Sequence, residues 1–182
     1  MRKIELKNIE KPTRAAPMVW QNLYKIHLGD GRFVCFRNKK NADAALVKLN
    51  QELNNILFEL RRLSASVNSV AFDLWPYLPA QMLQDLNQAS SDRNHQFIKL
   101  CKPVGPNYGH FVNNWLRSLC GSIASDADAL AIVARKKLLY PTEQKARRDA
   151  SAAVDLLHRL NELATIIGGD VTLGNLIHDI SH

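Results

Sequence analysis

The sequence predicts a mainly α-helical protein of the α+β class, a small basic antiparallel sheet followed by a helical bundle. Three patterns carry that reading. Residues before about 40 alternate apolar and polar side chains around Gly29-Asp30-Gly31; leucine and valine then recur at heptad spacing from Leu46 to Leu74; alanine and leucine repeat a similar period from Ala146 to Ile167. A chain of 182 residues that is 46% hydrophobic and 23% charged has the profile of one soluble unit, or one core with an appendage. It is large enough to bury a core without disulfides or metal. The expected organisation is a basic hairpin module at 1–40 and a helical bundle at 41–182.

Lys3 to Ile9 alternates, with Ile4 and Leu6 on one side and Lys3, Glu5 and Lys7 on the other, as in a half-buried strand. Pro12 to Pro17 reads as an irregular connection, because proline lacks a backbone donor and biases its predecessor away from helix. Trp20 to Leu28 and Arg32 to Arg37 predict a hairpin over 20–37, whose turn glycines accept positive φ.

From Asn41 the period changes. Leu46, Leu49, Leu53, Ile56, Leu60, Leu63, Val67, Val70 and Leu74 step by three and four residues, with no proline or glycine before Pro76. That predicts a helix over 41–74, about 50 Å long at 1.5 Å per residue. A seam of this length needs covering by another helix pair or by a second subunit, which makes Leu46, Leu49, Leu53, Ile56, Leu60 and Leu63 candidates for packing or oligomerisation. Asn41 is the expected N-cap, with Asp43 complementing the helix dipole.

Trp75-Pro76-Tyr77-Leu78-Pro79 ends that helix and reverses the chain. Short helices are expected at 80–89 and 92–101, the second capped by Ser91, and Pro103 to Gly109 reads as a rigid loop. Residues 110–120 are expected to form a helix with Phe111, Trp115, Leu116 and Leu119 inward, stopped by Gly121, with Ser125 capping the next, at 126–139. Tyr140-Pro141-Thr142 makes a corner into a helix at 143–167 that turns Ala146, Ala150, Ala153, Leu157, Leu160, Ala164 and Ile167 inward. Gly168-Gly169 ends it, and a short segment from Thr172 to Ile180 follows.

The net charge of +7 is unevenly placed. Residues 1–40 hold ten Lys and Arg against three Asp and Glu, while the remaining residues hold fourteen of each sign. Within that neutral remainder, residues 135–148 carry Arg135, Lys136, Lys137, Lys145, Arg147 and Arg148 against Glu143. Such asymmetry bears on partners rather than on fold.

Residues with chemical potential have plainer structural roles. Asp126 and Asp128, directly after Ser125, suit the positive end of a helix dipole. His178 and His182 stand four apart in the C-terminal tail without a third ligand at a recognisable spacing, and His158 flanks a core stripe. Cys35, Cys101 and Cys120 are odd in number and lack zinc-type spacing, so a reducing compartment and buried apolar roles are expected. Gly105 to His110 gathers turn residues, an aromatic and a histidine, but no acid or nucleophile accompanies His110. Gly168, Gly169 and Gly174 follow a helix, whereas a phosphate-cradling loop opens one. No enzyme, metal or cofactor is expected. No apolar run reaches the roughly 20 residues a bilayer requires, and no signal-type stretch follows the first residues. The expected location is the cytoplasm, or a particle assembled there.

The hairpin is the stronger signal. Lys25 and His27 alternate with Tyr24 and Ile26, Arg32 and Arg37 flank the second strand, and Lys39 and Lys40 follow. A cationic edge with aromatic neighbours suits phosphate contacts and stacking, and Arg135, Lys136 and Lys137 extend the same chemistry. Lysines on a short sheet also block strand-to-strand aggregation, and a cationic arm also suits an acidic protein partner or a neighbouring subunit.

Trp20, Tyr24, Gly29-Asp30-Gly31-Arg32, Phe36, Lys39-Lys40 and Ala45-Leu46 together resemble the small sheet-plus-helix arm domains found in front of tyrosine recombinases. Residues 107–169, ending Leu160-Asn161-Glu162-Leu163 to Gly168-Gly169, are similar to small basic four-helix-bundle accessory proteins of retroelements. Both resemblances imply nucleic-acid or mobile-element company. The expected function is therefore a non-catalytic nucleic-acid-associated protein, with hairpin cations on phosphates and the bundle mediating packing or oligomerisation. The alternative is a structural component of a larger assembly, such as a phage particle or secretion-type complex, with the hairpin as a protein-binding arm.

Overall fold

The structure, a computed structural model, describes residues 2–7, 9–11, 23–29, 32–102 and 108–168, the side chains of 29 and 108–110 excepted. Its elements are β1 (Tyr24–Gly29), β2 (Arg32–Phe36), α1 (Lys39–Asp73), a 3-10 turn (Trp75–Tyr77), α2 (Ala80–Lys99), α3 (Tyr108–Lys136), α4 (Tyr140–Asn161) and α5 (Leu163–Ile167). The protein is thus mainly helical, with one two-stranded antiparallel sheet among the described residues, as the patterning predicts. It divides into two compact units, one of residues 1–54, 102–114 and 161–182, the other of residues 55–101 and 115–160, with α1, α3 and, by its last residue, α4 contributing to both. The Pro12 to Pro17 connection, Trp20, Asp30 and Gly31 of the turn, residues 103–107 and all residues from 169 onward, including His178 and His182, lie outside the described residues.

In the first unit, β1 pairs with β2 in the register Tyr24↔Phe36, Lys25↔Cys35, Ile26↔Val34 and His27↔Phe33, with an irregularity between His27 and Gly29. Alternation then separates two faces. Ile26, Leu28, Val34 and Phe36 are buried on one. Leu23 and Cys35, with Phe33 packed against them, form a small cluster on the other. The Asn113 side chain of α3, itself buried, donates to the Leu28 carbonyl and ties the end of β1 to that helix.

The N-terminal segment is not a sheet strand, although it alternates as one. Its main chain is satisfied by two asparagine side chains of α1. Asn54 Oδ1 accepts from the Ile4 amide at 2.8 Å while its Nδ2 donates to the Ile4 carbonyl at 2.8 Å. Asn50 does the same for Leu6, at 2.8 and 2.9 Å. The match is geometric: residues four apart on a helix rise about 6 Å, and residues two apart in an extended chain span about 6.6 Å. Ile4 is buried, and Lys3, Glu5 and Lys7 are exposed, so the alternation predicted from sequence is kept. A bridge between Glu10 and Lys25 then joins the segment to β1.

α1 starts two residues before the expected cap. Asn38, not Asn41, closes its first turn by accepting from the Asn41 amide at 2.8 Å, and Asp43 pairs with Lys39 at 2.9 Å. Leu49 and Leu53 are buried in the first unit, while Leu46 is half-buried because Ala42 and Ala45 take the inward positions of that turn.

In the second unit α1 to α4 form a four-helix bundle. Ile56, Leu60, Leu63, Val67 and Val70 of α1, and Leu74 directly after it, are all buried within the chain itself. Hydrogen bonds give the neighbours and their directions. Ser64 and Asn68 meet Arg93 and Ser90 of α2. Glu59, Ser66 and Ser69 meet Arg159, Asp149 and Lys145 of α4. Positions ascend in α1 as they descend in α2 and α4, so both run antiparallel to it. The 3-10 turn with Pro76 makes the first reversal, as predicted.

Two pairs of expected short helices are each one helix. α2 runs through Ser90-Ser91-Asp92, because Leu86, Arg93, Phe97 and Leu100 keep one inward face across that polar stretch and no proline or glycine breaks it. α3 runs through Gly121 and Ser125. Gly121 is exposed with open space around its Cα, and Leu116, Leu119, Cys120, Ile123, Ala127 and Leu130 continue the buried stripe past it. Glycine inside a helix costs about 0.5–1 kcal/mol relative to alanine, which packing of such a stripe outweighs. The last long helix is α4, broken from α5 at Glu162; Leu156 and Leu163 are buried where Leu157 and Ala164 were expected to be, and those two are half-buried. Tyr140 and Pro141 form its first turn, the position where proline's missing donor costs nothing.

At the centre of the bundle Arg93 is 1% exposed. Its Nε donates to Ser64 Oγ at 3.2 Å and Nη1 to Ser122 Oγ at 3.0 Å and to the Asp126 carboxylate. Asp126 is therefore a mid-helix partner of Arg93, not a helix-start carboxylate. Removing one member of a buried pair leaves the other charge unpaired, at a cost of about 3–5 kcal/mol. Arg93→Met is expected to lose that much in chemical denaturation, and Arg93→Met with Asp126→Leu to recover most of it. Equal losses for the single and the double variant would show that the charges are not what matters.

Candidate functional site

Four of the predicted hairpin residues, Lys25, His27, Arg32 and Lys39, are engaged within the chain. The Lys25 ammonium lies 4.2 Å from the Phe33 ring centroid and 3.9 Å from a Glu10 carboxylate oxygen, with its side chain only 19% exposed. His27 Nε2 and Glu10 Oε2 are 2.5 Å apart. Arg32 donates from Nη1 to the Asn161 carbonyl at 2.9 Å, a cation at the negative end of α4. Lys39 is held by Asp43; Arg37 and Lys40 are exposed. Nearby, Lys7 pairs with Glu5 at 3.6 Å and Lys11 lies 5.7 Å from the Tyr24 ring centroid. Among the described residues of the first 40, Lys7, Lys25, His27, Arg32 and Lys39 thus meet local carboxylates or a carbonyl.

Arg135, Lys136 and Lys137 stand at the corner between α3 and α4, in the other unit. α3 ends there in a Schellman motif: the Leu139 amide donates to the Ala134 carbonyl at 2.9 Å and the Leu138 amide to the Arg135 carbonyl at 3.0 Å. Leu138 occupies the left-handed position, at φ 58°, where glycine is usual, and its side chain is exposed. Glu143 clasps the corner. Its buried carboxylate accepts from Arg147 at 2.8 Å and from Arg135 at 3.2 Å. Lys136 is exposed, and the Lys137 ammonium lies 5.7 Å from the Tyr77 ring centroid, linking the α3–α4 corner to the α1–α2 turn.

That link brings together residues the sequence reading left unassigned. Phe72, Trp75 and Tyr77 at the first turn and Leu138 and Tyr140 at the second are all exposed, with Phe72 at 78% and Leu138 at 68%. The available signal was the presence of large apolar residues at two predicted chain reversals, where small and polar residues are the norm. The third candidate, His110, stands in the first turn of α3. Cys35 and Cys120 are buried, and burial pushes the Cys120 thiol up to about 12, far from the range of a reactive thiolate. Cys101 accepts from Arg61 at 3.4 Å. Among the described residues no three His, Cys, Asp or Glu side chains gather as a metal site, and no helix is long and apolar enough to cross a membrane.

Comparison with known proteins returns no match to a family model, a curated protein or a solved structure.

Two carboxyls respond to these cations. The His27 hydrogen bond, aided by Lys25, holds Glu10 below its ordinary value of 4.5 against a smaller effect of burial, and Arg147, then Arg135, do the same for Glu143. A depressed folded-state pKa stabilises the protein fully above the ordinary carboxylate range, and that contribution is lost as pH falls through the depressed value. Glu10→Gln and Glu143→Gln are each expected to lower stability at neutral pH and to flatten its decline in acid, read from denaturation midpoints between pH 7 and pH 3. Parallel pH profiles for wild type and both variants would contradict this.

Proposed function

We propose that the protein is a non-catalytic nucleic-acid-associated protein that contacts phosphates with the cations of the α3–α4 corner. The observation that supports this reading is the charge of residues 135–148, six cations against Glu143. The corner is fixed by the Schellman bonds and by the Glu143 clasp, so Lys136 and Lys137 stand on a defined surface. The hairpin's part is secondary, since Lys25, His27, Arg32 and Lys39 are bonded within the chain; the exposed Lys40 is its candidate for phosphate contact. Neutralised phosphates release counterions, so affinity falls steeply with salt. Lys136→Ala and Lys137→Ala are each expected to weaken binding to an oligonucleotide and to lower the slope of log affinity against log salt by about 1. No binding at low salt, or an unchanged slope in both variants, overturns the reading.

A second reading, a structural component of a larger assembly, is supported by the asparagine pair on α1. Asn50 and Asn54 grip main-chain groups, and an extended segment from another copy offers the same groups. This reading expects an oligomer by light scattering that Asn50→Ala with Asn54→Ala dissociates. A monomer at every concentration rules it out.

A further inference from the structure

The end of the bundle that carries the α1–α2 turn and the α3–α4 corner has an unusual surface. Phe72 is 78% exposed, Leu138 68%, Tyr140 55%, Trp75 52% and Tyr77 46%. In a soluble protein, large apolar side chains gathered on one exposed surface mark an interaction site. Their common location follows from the bundle itself: Lys137 meets the Tyr77 ring, and Lys145 of α4 reaches Ser69 of α1 at 3.4 Å, which sets the end of α1 beside the start of α4.

Leu138 gives the surface a cost. A residue with a β-carbon at a left-handed C-terminal position is disfavoured by about 1–2 kcal/mol relative to the right-handed region, and glycine fills such positions without that penalty. Burial cannot repay the strain, because the side chain lies in solvent. The Schellman bonds hold the strained residue in place, and its exposed side chain is open to a partner.

The charge states what kind of partner this is. Lys136 and Lys137 directly precede Leu138, the Lys137 ammonium lies beside the Tyr77 ring, and Lys145, Arg147 and Arg148 follow on the first turns of α4. Of the nearby acids, Glu143 is taken up by Arg147 and Arg135, and Asp73 ends α1. The partner is therefore anionic and has flat apolar groups to cover the rings. Trp75, Tyr77 and Tyr140 are about half exposed, so each ring has surface open to a partner's flat group. A ring with an ammonium 5.7 Å from its centroid, as at Tyr77, sets a stacking platform beside a phosphate partner.

Resting on the nucleic-acid reading above, we infer that this end of the bundle binds single-stranded nucleic acid, with unpaired bases stacked on Trp75, Tyr77 and Tyr140 and phosphates on Lys136 and Lys137. Duplex bases are hidden from such rings, so a duplex gains the phosphate contacts alone.

The test compares a labelled single strand and a duplex of equal length by fluorescence anisotropy, using the full chain at low salt. The single strand is expected to bind at least tenfold more tightly. Trp75→Ala and Tyr140→Ala are each expected to lose about tenfold for the single strand, as one stacked base requires, with duplex affinity unchanged. Leu138→Gly distinguishes binding from folding: it is expected to raise the melting temperature while weakening the single-strand complex. Equal affinity for both forms, with no effect of the ring variants, overturns the inference and leaves the nucleic-acid reading standing. Absence of binding to either form overturns both. Binding to vesicles of anionic lipid through the same rings, without oligonucleotide binding, or self-association abolished by Trp75→Ala, assigns the surface to a membrane or to a second copy and overturns the inference as well.

Discussion

The bundle depends on one buried cation. Arg93 is fully enclosed, and its guanidinium binds side chains of α1 and α3 through Ser64, Ser122 and Asp126. A leucine seam tolerates sliding, since one apolar residue replaces another at modest cost. A guanidinium does not, because its donors need partners in fixed directions and an unmet one is expensive in a dry interior. α2 has few large apolar residues facing inward, so its place beside α1 and α3 owes more to this network than to hydrophobic area. Six alanines of α3 and α4, Ala127, Ala131, Ala134, Ala146, Ala150 and Ala153, are buried and allow close helix approach. Within this packing the two turns at one end are held firmly enough to display residues that elsewhere would be buried.

Charge is used differently in the two units. In the first, Glu10 alone meets both Lys25 and His27, and Arg32 ends on a helix carbonyl. An excess counted along the sequence therefore shrinks once the hairpin forms. At the corner, one buried carboxylate orients two arginines and leaves the lysines outward. Summed charge by segment was a sound guide to where cations are, and a poor guide to which of them are already engaged, because ring contacts and carbonyl acceptors do not enter a charge count.

The fold class was legible because period is a strong signal: the α1 seam and the hairpin around residues 29–31 were both read from spacing. Helix ends were less so. Ser90-Ser91-Asp92 and Gly121 look like boundaries one residue at a time, and the stripes that run through them override local preference. Asp126 carried the same ambiguity. After Ser125 it has the look of a helix start, and its true partner lies 33 residues away on another helix. Lys136 and Lys137 were named from charge, whereas Trp75 and Leu138 were not, because their exposure depends on two distant turns meeting at one end. No local pattern encodes that meeting.

The asparagine pair on α1 also acts as a ruler. Each rung of the helix falls short of the corresponding step of the extended arm by about 0.6 Å. Two rungs share that error and stay within hydrogen-bonding range, while a third is displaced by about 1 Å, outside the usual window. The sequence respects this limit: one turn beyond the pair on either side stand Leu46 and Phe58, which carry no amide. A helix can hold an extended chain in this way for about four residues, and the grip is indifferent to side-chain identity except at Ile4, whose burial fixes the arm's register.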